Sequence, residues 1–388
     1  RLAAAARGDA GLRDDDHRAL ARAAAHAAAE LRGGIAKLAQ LASCRPDLIG
    51  PIWAAELAAL QDDVPAIDAA VIRARIEAEL GQPIAALFAA FTDTPLAAAS
   101  LAQVHAAELA DGTAVAVKVQ VPGADHVIAA DLAALRAIAQ AVGAVPGLDL
   151  PTLVDELSRA LAAELDYVAE AAALAAFPTT AIVPRPIAHA SGPRVLTMTR
   201  IDGERLTAAL DRRPPADRDR LLGALVDELA AQILVRGHVH ADPHPGNWRV
   251  TADGALALLD FGCTLTLTRA ERAGHARLVL AIAAGDRAGA AAQLAALGFV
   301  ARDPHRLVEL TSALIGALRP GAAVDALDWE AAVAAQLAHA RQLDGLVIPR
   351  SFVLLGRVLA TIAGLLARYR PQLQLHALIV RHLAAAAG

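Results

Sequence analysis

Cysteine and aromatic side chains are both scarce in this chain of 388 residues. It has two cysteines and 3% aromatic residues, although 56% of its residues are hydrophobic. Two cysteines cannot form a disulfide framework, and Cys44 and Cys263 lack the paired spacing of a zinc site, so we expect a reducing compartment. Alanine dominates the hydrophobic fraction, with leucine and valine supplying most of the bulk, which predicts many closely packed helices.

Charge and hydropathy patterning exclude two further classes of protein. The formal net charge is −5 and the charged residues form no long basic run, which argues against nucleic acid as the main partner. No uncharged apolar segment reaches the roughly 18–20 residues that span a bilayer, because Arg357 interrupts the best candidate, residues 351–366. We therefore expect a cytoplasmic protein without a transmembrane segment in this chain, with a peripheral membrane contact as the alternative.

The most informative stretch is residues 240–247, which is followed by Asp260-Phe-Gly. An Asp, an Asn five residues later and a second Asp after a short turn are the residues that phosphoryl transfer needs. Asp242 is the candidate catalytic residue, which would orient or deprotonate an attacking hydroxyl. Asn247 and Asp260 are the candidate ligands for Mg²⁺.

Two apolar runs, 248–250 and 255–259, separate these metal-ligand candidates. Asp253-Gly254 lies between the runs and predicts a hairpin that returns Asp260 to Asn247. The alternative is that the loop is only a capped turn or a bare metal site built from its His and Asp side chains. We favour phosphoryl transfer, because a bare metal site explains neither Asn247 nor Asp260-Phe-Gly.

A second hairpin is predicted over strands 101–109 and 114–120, with Asp-Gly at the turn. Three valines share one face of the latter strand, and Ala116 and Lys118 share the other. We interpret Lys118 as the lysine that contacts nucleotide phosphates and Ala116 as a flat surface for an adenine ring. A solvated strand lysine is the alternative.

The stretch before this hairpin consists of small residues. Loops that cover phosphates usually contain glycine, whose backbone approaches the ligand closely, whereas this loop has Ala97, Ala98, Ala99 and Ser100. These four residues are candidates for nucleotide contact. The alanine methyl groups are expected to restrict the loop.

Residues 153–177 are predicted to form one helix that carries three acids. On a regular helix Asp166 and Glu170 are about 40° apart and share a face, whereas Glu164 and Asp166 are about 160° apart. All three acids therefore serve one site only if a basic partner, such as Lys37, lies on another side.

The buried strand 195–199 leads to an Asp-Gly turn, where a hinge between two lobes is expected. Met198 lies in this strand and is a candidate for contact with the adenine edge. After Asp260-Phe-Gly, the next helix begins near Arg269 and no Ala-Pro-Glu motif follows, so the peptide platform of a protein kinase is missing.

In this order the motifs resemble the UbiB family, the AarF-domain-containing atypical kinases of quinone biosynthesis, over residues 33–364. The resemblance rests on the segments Lys37-Leu-Ala-Gln40, Ala97 to Ser100, Val115 to Lys118, Glu164-Leu-Asp166, His240 to Asn247 and Asp260-Phe-Gly. It implies an α+β, protein-kinase-like bilobal fold. The N-lobe would have an antiparallel sheet, the C-lobe would be mostly helical, and a helical N-terminal extension would cover the active site.

The resemblance also implies a division of the chain. Residues 1–65 would form the extension, residues 66–200 the N-lobe and residues 201–388 the C-lobe. Lys37 and Gln40 would belong to the extension and regulate the site by meeting Glu164 and Asp166.

The activity that the resemblance implies is ATP binding and slow ATP hydrolysis supporting isoprenoid-quinone or other lipid metabolism, without established peptide phosphorylation. ATP or ADP and Mg²⁺ would be the cofactors, and an isoprenoid lipid or quinone intermediate is the expected partner. Lys118 would pair with the α/β-phosphates and with Glu170. The competing hypotheses are a small-molecule kinase resembling the aminoglycoside phosphotransferases and a nucleotide-binding scaffold without turnover.

Overall fold

The computed structural model describes residues 14–31, 51–58, 66–142, 150–315 and 348–387. The chain divides into two compact units, one made of residues 1–175 and 184–200 and the other of residues 176–183 and 201–388. The division at residues 65 and 200 that the resemblance implies stays a prediction.

A four-stranded antiparallel sheet, in the order β1-β2-β3-β4, forms the centre of the first unit. Its strands are β1 Ala90–Ala98, β2 Ala102–Glu108, β3 Ala114–Gln120 and β4 Val195–Thr199. The predicted hairpin is therefore present as β2 and β3. Its turn contains Gly112 at φ +83°, a left-handed conformation that glycine adopts without a steric penalty.

Seven described helices accompany the sheet. They are α1 Asp14–Leu31, α2 Pro51–Ala58, α3 Ala69–Leu80, α4 Ile84–Leu87, α5 Ala124–Val142, α6 Leu150–Glu164 and α7 Tyr167–Ala176. The valine face of β3 is fully buried against Ile72 and Ile76 of α3. A second cluster joins Ile128 of α5 to Leu161 of α6, so each cluster buries the apolar side of elements whose other side is polar.

The single helix predicted over residues 153–177 is wrong, because α6 ends at Glu164 and α7 begins at Tyr167. Asp166 lies in the break, and its Oδ1 accepts a hydrogen bond of 2.9 Å from the backbone N–H of Ala169. This contact caps one of the unsatisfied donors at the start of α7. The angles of one continuous helix therefore do not apply to the acids on either side of the break.

The alanine loop is shorter than predicted. Ala97 and Ala98 belong to β1 and pair with Val104 and Gln103, and the backbone N–H of Ala99 donates to the carbonyl of Ala102 at 2.8 Å. A run of alanines shows no alternation of apolar and polar residues, so the sequence does not mark where the strand ends and the loop begins.

The second unit contains five short strands and seven described helices. The strands β5 Glu204–Arg205, β7 Trp248–Val250 and β8 Leu256–Leu258 form one sheet, and β6 His238–His240 pairs with β9 Thr264–Thr266. The helices are α8 Leu206–Arg212, α9 Pro215–Ala231, α10 Arg269–Ala283, α11 Arg287–Ala296, α12 Pro304–Ile315, α13 Arg350–Tyr369 and α14 Leu375–Ala387. The hairpin predicted between Asn247 and Asp260 is present as β7 and β8.

Helix α13 is long and apolar enough to cross a membrane by length and composition, and it is the one such helix in the described part of the chain. Residues 351–369 have a mean hydropathy of 1.6. The sequence-based expectation that Arg357 disqualifies this segment was therefore too strict. The test is weak on its own, because core helices of soluble proteins also pass it. Leu366 of this helix packs with Val226 of α9 and Leu375 of α14.

We expect the replacement Asp166→Ala to lower the free energy of unfolding by about 1 kcal/mol, because it removes the cap of α7. Asp166→Asn keeps an acceptor oxygen and should lose much less. Urea unfolding followed by circular dichroism measures both, and equal losses in the two variants would show that the cap is not what Asp166 contributes.

Candidate active site

A lysine and a glutamate in the first unit form a closely held ion pair. Lys118 Nζ lies 2.7 Å and 2.8 Å from the two carboxylate oxygens of Glu170. Their side chains are 12% and 3% exposed, and Lys118 Nζ lies 5.1 Å from the ring centre of Tyr167. Contact with both oxygens and low exposure make this pair directional, unlike a solvated surface pair.

The two residues reach each other because of local structure. Lys118 leaves β3 on the face opposite the buried valines, and Glu170 lies in the first turn of α7. Gln120, also on β3, donates from Nε2 to the carbonyl of Leu165 in the α6–α7 break at 2.6 Å. This bond ties the start of α7 to the strand that carries Lys118.

The register of the sheet places other candidate residues on the Lys118 face. Ala116 lies opposite Met198 of β4, and Lys118 lies opposite Val104, which itself pairs with Ala97. Residues directly opposite each other in an antiparallel pair share a face. Ala97, Ala116 and Met198 are therefore on the face of Lys118.

The remaining candidates of this unit differ in where they lie. Ala98 pairs with Gln103 and so lies on the other face of the sheet, whereas Ala99 and the buried Ser100 form the β1–β2 turn. Glu164 ends α6 and Asp166 caps α7. Lys37 and Gln40 lie outside the described residues, and their regulatory role stays a prediction.

In the second unit, residues 240–247 form the loop predicted to carry the chemistry. Strand β6 ends at His240, and Pro245–Asn247 form a 3₁₀ turn. Asn247 donates from Nδ2 to the carbonyl of Asp242 at 2.9 Å, which fixes the two candidates relative to each other. A side chain at Gly246 would put its Cβ 2.9 Å from His244 Nδ1, so it would displace the imidazole from its present position.

The imidazole of His240 joins this loop to the second candidate carboxylate. His240 is 1% exposed, and its Nε2 hydrogen bonds to the backbone carbonyl of Asp260. A carbonyl only accepts, so Nε2 carries the proton. Burial lowers the pKa of His240 below its ordinary value, although the Asp260 carbonyl opposes the shift, and the imidazole is held neutral.

The β7–β8 hairpin brings Asp260 back to Asn247. The backbone N–H of Leu259 donates to the carbonyl of Asn247 at 3.0 Å. Asp260 Oδ1 accepts from the backbone of Gly262 at 2.9 Å. The side-chain Nδ2 of Asn247 donates to the carbonyl of Asp242, so the side-chain Oδ1 is the atom that can bind a cation. A carboxylate and an amide oxygen are the donors that Mg²⁺ prefers, so these two residues fit that ion.

A bare metal site in this loop is not supported. Among the described residues no group of three or more His, Cys, Asp or Glu side chains is arranged to hold a metal ion. His240 uses Nε2 on Asp260, and His244 Nδ1 accepts from the backbone N–H of Gly246 at 3.1 Å. Both imidazoles therefore shape the loop.

A buried carboxylate behind the loop was missed by the sequence analysis. Glu228 of α9 is 4% exposed and accepts from Thr179 Oγ1 and Gln232 Nε2 at 2.6 Å and 2.9 Å. It also accepts from Thr180 and pairs with Arg236. Burial opposes ionisation of Glu228, and these partners more than offset it, so its pKa lies below the ordinary value.

Gln232 connects Glu228 to the loop, since its Oε1 accepts a hydrogen bond from the backbone N–H of His240 at 3.0 Å. Glu228 and Gln232 are four residues apart and share a helix face, which was the only signal in the sequence. Thr179 and Thr180 lie some 50 residues earlier, a separation that no periodic pattern reveals.

Arg357 was also missed as a site residue. Its Nη2 lies 3.0 Å from Asp242 Oδ1. In the sequence it was noticed only as an interruption of an apolar run.

A lysine–glutamate pair beside an antiparallel sheet and an Asp-Asn-Asp set on a loop and hairpin are features of a kinase-like domain. The ABC1 atypical kinase-like domain matches residues 59–294, and the chain belongs to this AarF/UbiB family. The predicted family is confirmed, as is the fold class of a kinase-like domain with an antiparallel sheet and many helices.

Curated relatives include an uncharacterized aarF domain-containing protein kinase of Arabidopsis thaliana chloroplasts, 40% identical over 242 residues, covering 60% of this chain and 34% of the relative. The probable protein kinase UbiB of Shewanella loihica is 32% identical over 357 residues, covering 87% of this chain and 65% of the relative. The chain thus spans about a third of the former and under two thirds of the latter.

Among solved structures, the Mycobacterium tuberculosis protein Rv3197, determined in complex with erythromycin, matches 92% of this chain and 94% of its own. The TM-score is 0.69 and the identity is 24%, a likeness that concerns the fold alone.

We expect Glu228→Ala to lower the free energy of unfolding by about 3–5 kcal/mol, because the mostly buried Arg236 would lose its carboxylate partner. The contribution of Glu228 is pH-dependent. Its folded-state pKa is lowered from 4.5, so the stabilisation is complete above about pH 4.5 and is lost as pH falls through the folded value.

Urea unfolding of wild type and Glu228→Gln between pH 7 and pH 3 measures this effect: the gap between them should narrow below pH 4.5. The control is Glu309→Gln, which breaks an exposed pair with Arg287. A gap for Glu228→Gln that is constant with pH would contradict the assignment.

Proposed function

We propose that this protein is an atypical kinase-like ATPase that binds Mg²⁺-ATP and serves isoprenoid-quinone or other lipid metabolism. The observation that carries the proposal is the Lys118–Glu170 ion pair, in which one ammonium group meets both oxygens of a buried carboxylate. Such a pair holds a lysine at a fixed position for the α/β-phosphates of a nucleotide.

The other roles follow from the chemistry of each side chain. The face of β3 with Ala116, Lys118 and Met198 would take the nucleotide, and the turn of Ala99 and Ser100 would approach its phosphates. Asn247 and Asp260 would hold Mg²⁺, which neutralises charge on the phosphates when it is bound.

Asp242 is proposed as the catalytic carboxylate. The oxygen of water or of an acceptor hydroxyl forms a bond to the γ-phosphorus, and the bond to the β–γ bridging oxygen breaks, leaving its electron pair on ADP. The proton of the attacking oxygen passes to Asp242. The hydrogen bond from Asn247 to the Asp242 carbonyl holds the backbone of Asp242 in place for this step.

The lipid or quinone substrate class is supported by the UbiB name of one relative. A peripheral membrane contact is proposed with it, and the apolar composition of α13 suits such a contact. The short segment between Asp260 and α10 leaves no room for the peptide platform of protein kinases. We therefore propose a small-molecule or lipid acceptor in preference to a protein.

We predict that ATP stabilises the protein only when Mg²⁺ is present, because Asn247 and Asp260 are proposed to bind the metal ion and not the nucleotide itself. At 100 times its dissociation constant the ligand should add about 2.7 kcal/mol to the free energy of unfolding. Thermal-shift titrations with and without Mg²⁺ measure this. Asp260→Asn should lose the Mg²⁺-dependent stabilisation, and Asp253→Asn in the turn of the same hairpin is the control and should keep it. Equal stabilisation by ATP with and without Mg²⁺ would count against the metal site.

We predict that Asp242→Asn binds Mg²⁺-ATP like wild type and hydrolyses it about 100-fold or more slowly, because only the proton acceptor is lost. Release of inorganic phosphate, with and without isoprenoid lipids or hydroxyl-bearing small molecules, measures turnover. Stimulation by lipid supports the proposal, stimulation by the small molecules supports a small-molecule kinase, and binding without any turnover supports a scaffold.

A further inference from the structure

Helix α13 brings an arginine to the proposed catalytic carboxylate. Arg357 and Asp242 are 115 residues apart in the chain and belong to the same compact unit. Their side chains are 22% and 41% exposed. Arg357 lies beyond residues 59–294, the part that matches the family domain.

The loop itself brings no positive charge to this point. The residue two positions after Asp242 is His244, whose Nδ1 accepts from the backbone of Gly246. The Nδ1 atom of His244 is thus used within its own turn, and no contact joins this side chain to Asp242 among the described residues. Among the ion pairs of the described residues, Asp242 pairs with Arg357.

The contact involves one oxygen of the carboxylate. Arg357 bonds to Oδ1, and in the described part of the chain Oδ2 of Asp242 has no hydrogen-bond partner. By contrast, Arg368, on the same helix, contacts both oxygens of Asp211 at 3.1 Å. A contact with both oxygens would leave neither of them to accept a proton. The observed one fixes the direction of the carboxylate and leaves Oδ2 for an acceptor proton.

We infer that Arg357 is a positioning residue of the phosphoryl transfer. It holds Asp242 in the orientation that receives the proton of the attacking oxygen. Its charge also offsets the repulsion between this carboxylate and the anionic phosphate that the acceptor must attack. The inference rests on the proposed function, because the orientation of Asp242 matters to the chemistry only where phosphate is transferred.

Steady-state Mg²⁺-ATP hydrolysis by the full chain tests this inference. We expect Arg357→Gln to lower kcat by about 10- to 100-fold while the KM for Mg²⁺-ATP stays within about three-fold of wild type. Arg357→Lys should recover part of the loss, since it restores the charge without the planar geometry. The matched control is Arg368→Gln, which breaks an arginine–carboxylate pair on the same helix and should leave kcat unchanged.

Two measurements separate positioning from a loss of folding. The first is rescue: free guanidinium should raise the kcat of Arg357→Ala and should not raise that of Asp242→Asn. The second is urea unfolding of the single and double variants at positions 242 and 357, which should show a coupling between the two side chains. An unchanged kcat in Arg357→Gln overturns the inference, as does a loss that guanidinium does not relieve and that tracks a lower stability.

The two levels of the proposal fail in different ways. A wild-type protein that does not hydrolyse Mg²⁺-ATP under any of the conditions above overturns the proposed function and the inference together. If the wild-type protein hydrolyses ATP and Arg357→Gln does so at the same rate, only the inference is overturned.

Discussion

The hydrogen bond from His240 to the carbonyl of Asp260 is the constraint on which the loops of the second unit depend. It joins the end of β6 to the residue that follows β8, 20 residues later. Phe261 packs edge-on against the imidazole at 5.5 Å and against Phe177 at 5.0 Å, so the bond lies in a dry environment. A hydrogen bond shielded from water is electrostatically stronger. Because burial keeps the imidazole neutral, Nε2 stays the donor of this bond.

The polar network behind this bond explains how the loop is anchored to the rest of the second unit. Glu228 collects donors from Thr179, Thr180, Gln232 and Arg236, and Gln232 passes the constraint to the backbone of His240. Every donor added to a buried carboxylate lowers the cost of its desolvation. The donors around Glu228 favour one arrangement, because an alternative would leave the buried carboxylate without partners.

The sequence was sufficient for the parts of the fold with a clear local period. The hairpin of β2 and β3 follows from alternating valines around Asp111-Gly112, and the hairpin of β7 and β8 follows from apolar runs around Asp253-Gly254. Local patterns failed where alanine dominates. Residues 153–177 contain no glycine and no proline, so no helix-breaking residue marked the break at residues 165–166. Contacts such as Asp242 with Arg357 join distant segments, and a single sequence holds no record of them.

The pairing of Arg357 with Asp242 also bears on where this kind of domain ends. The family match stops at residue 294, after every residue assigned here to nucleotide, metal and proton transfer. A chain shortened to that limit would keep the recognisable motifs and lose both the guanidinium beside Asp242 and the apolar cover that α13 and α14 give to Val226. The side chains that pack around the proposed catalytic carboxylate thus extend beyond residues 59–294, the part that matches the domain, and include residues of the C-terminal helices.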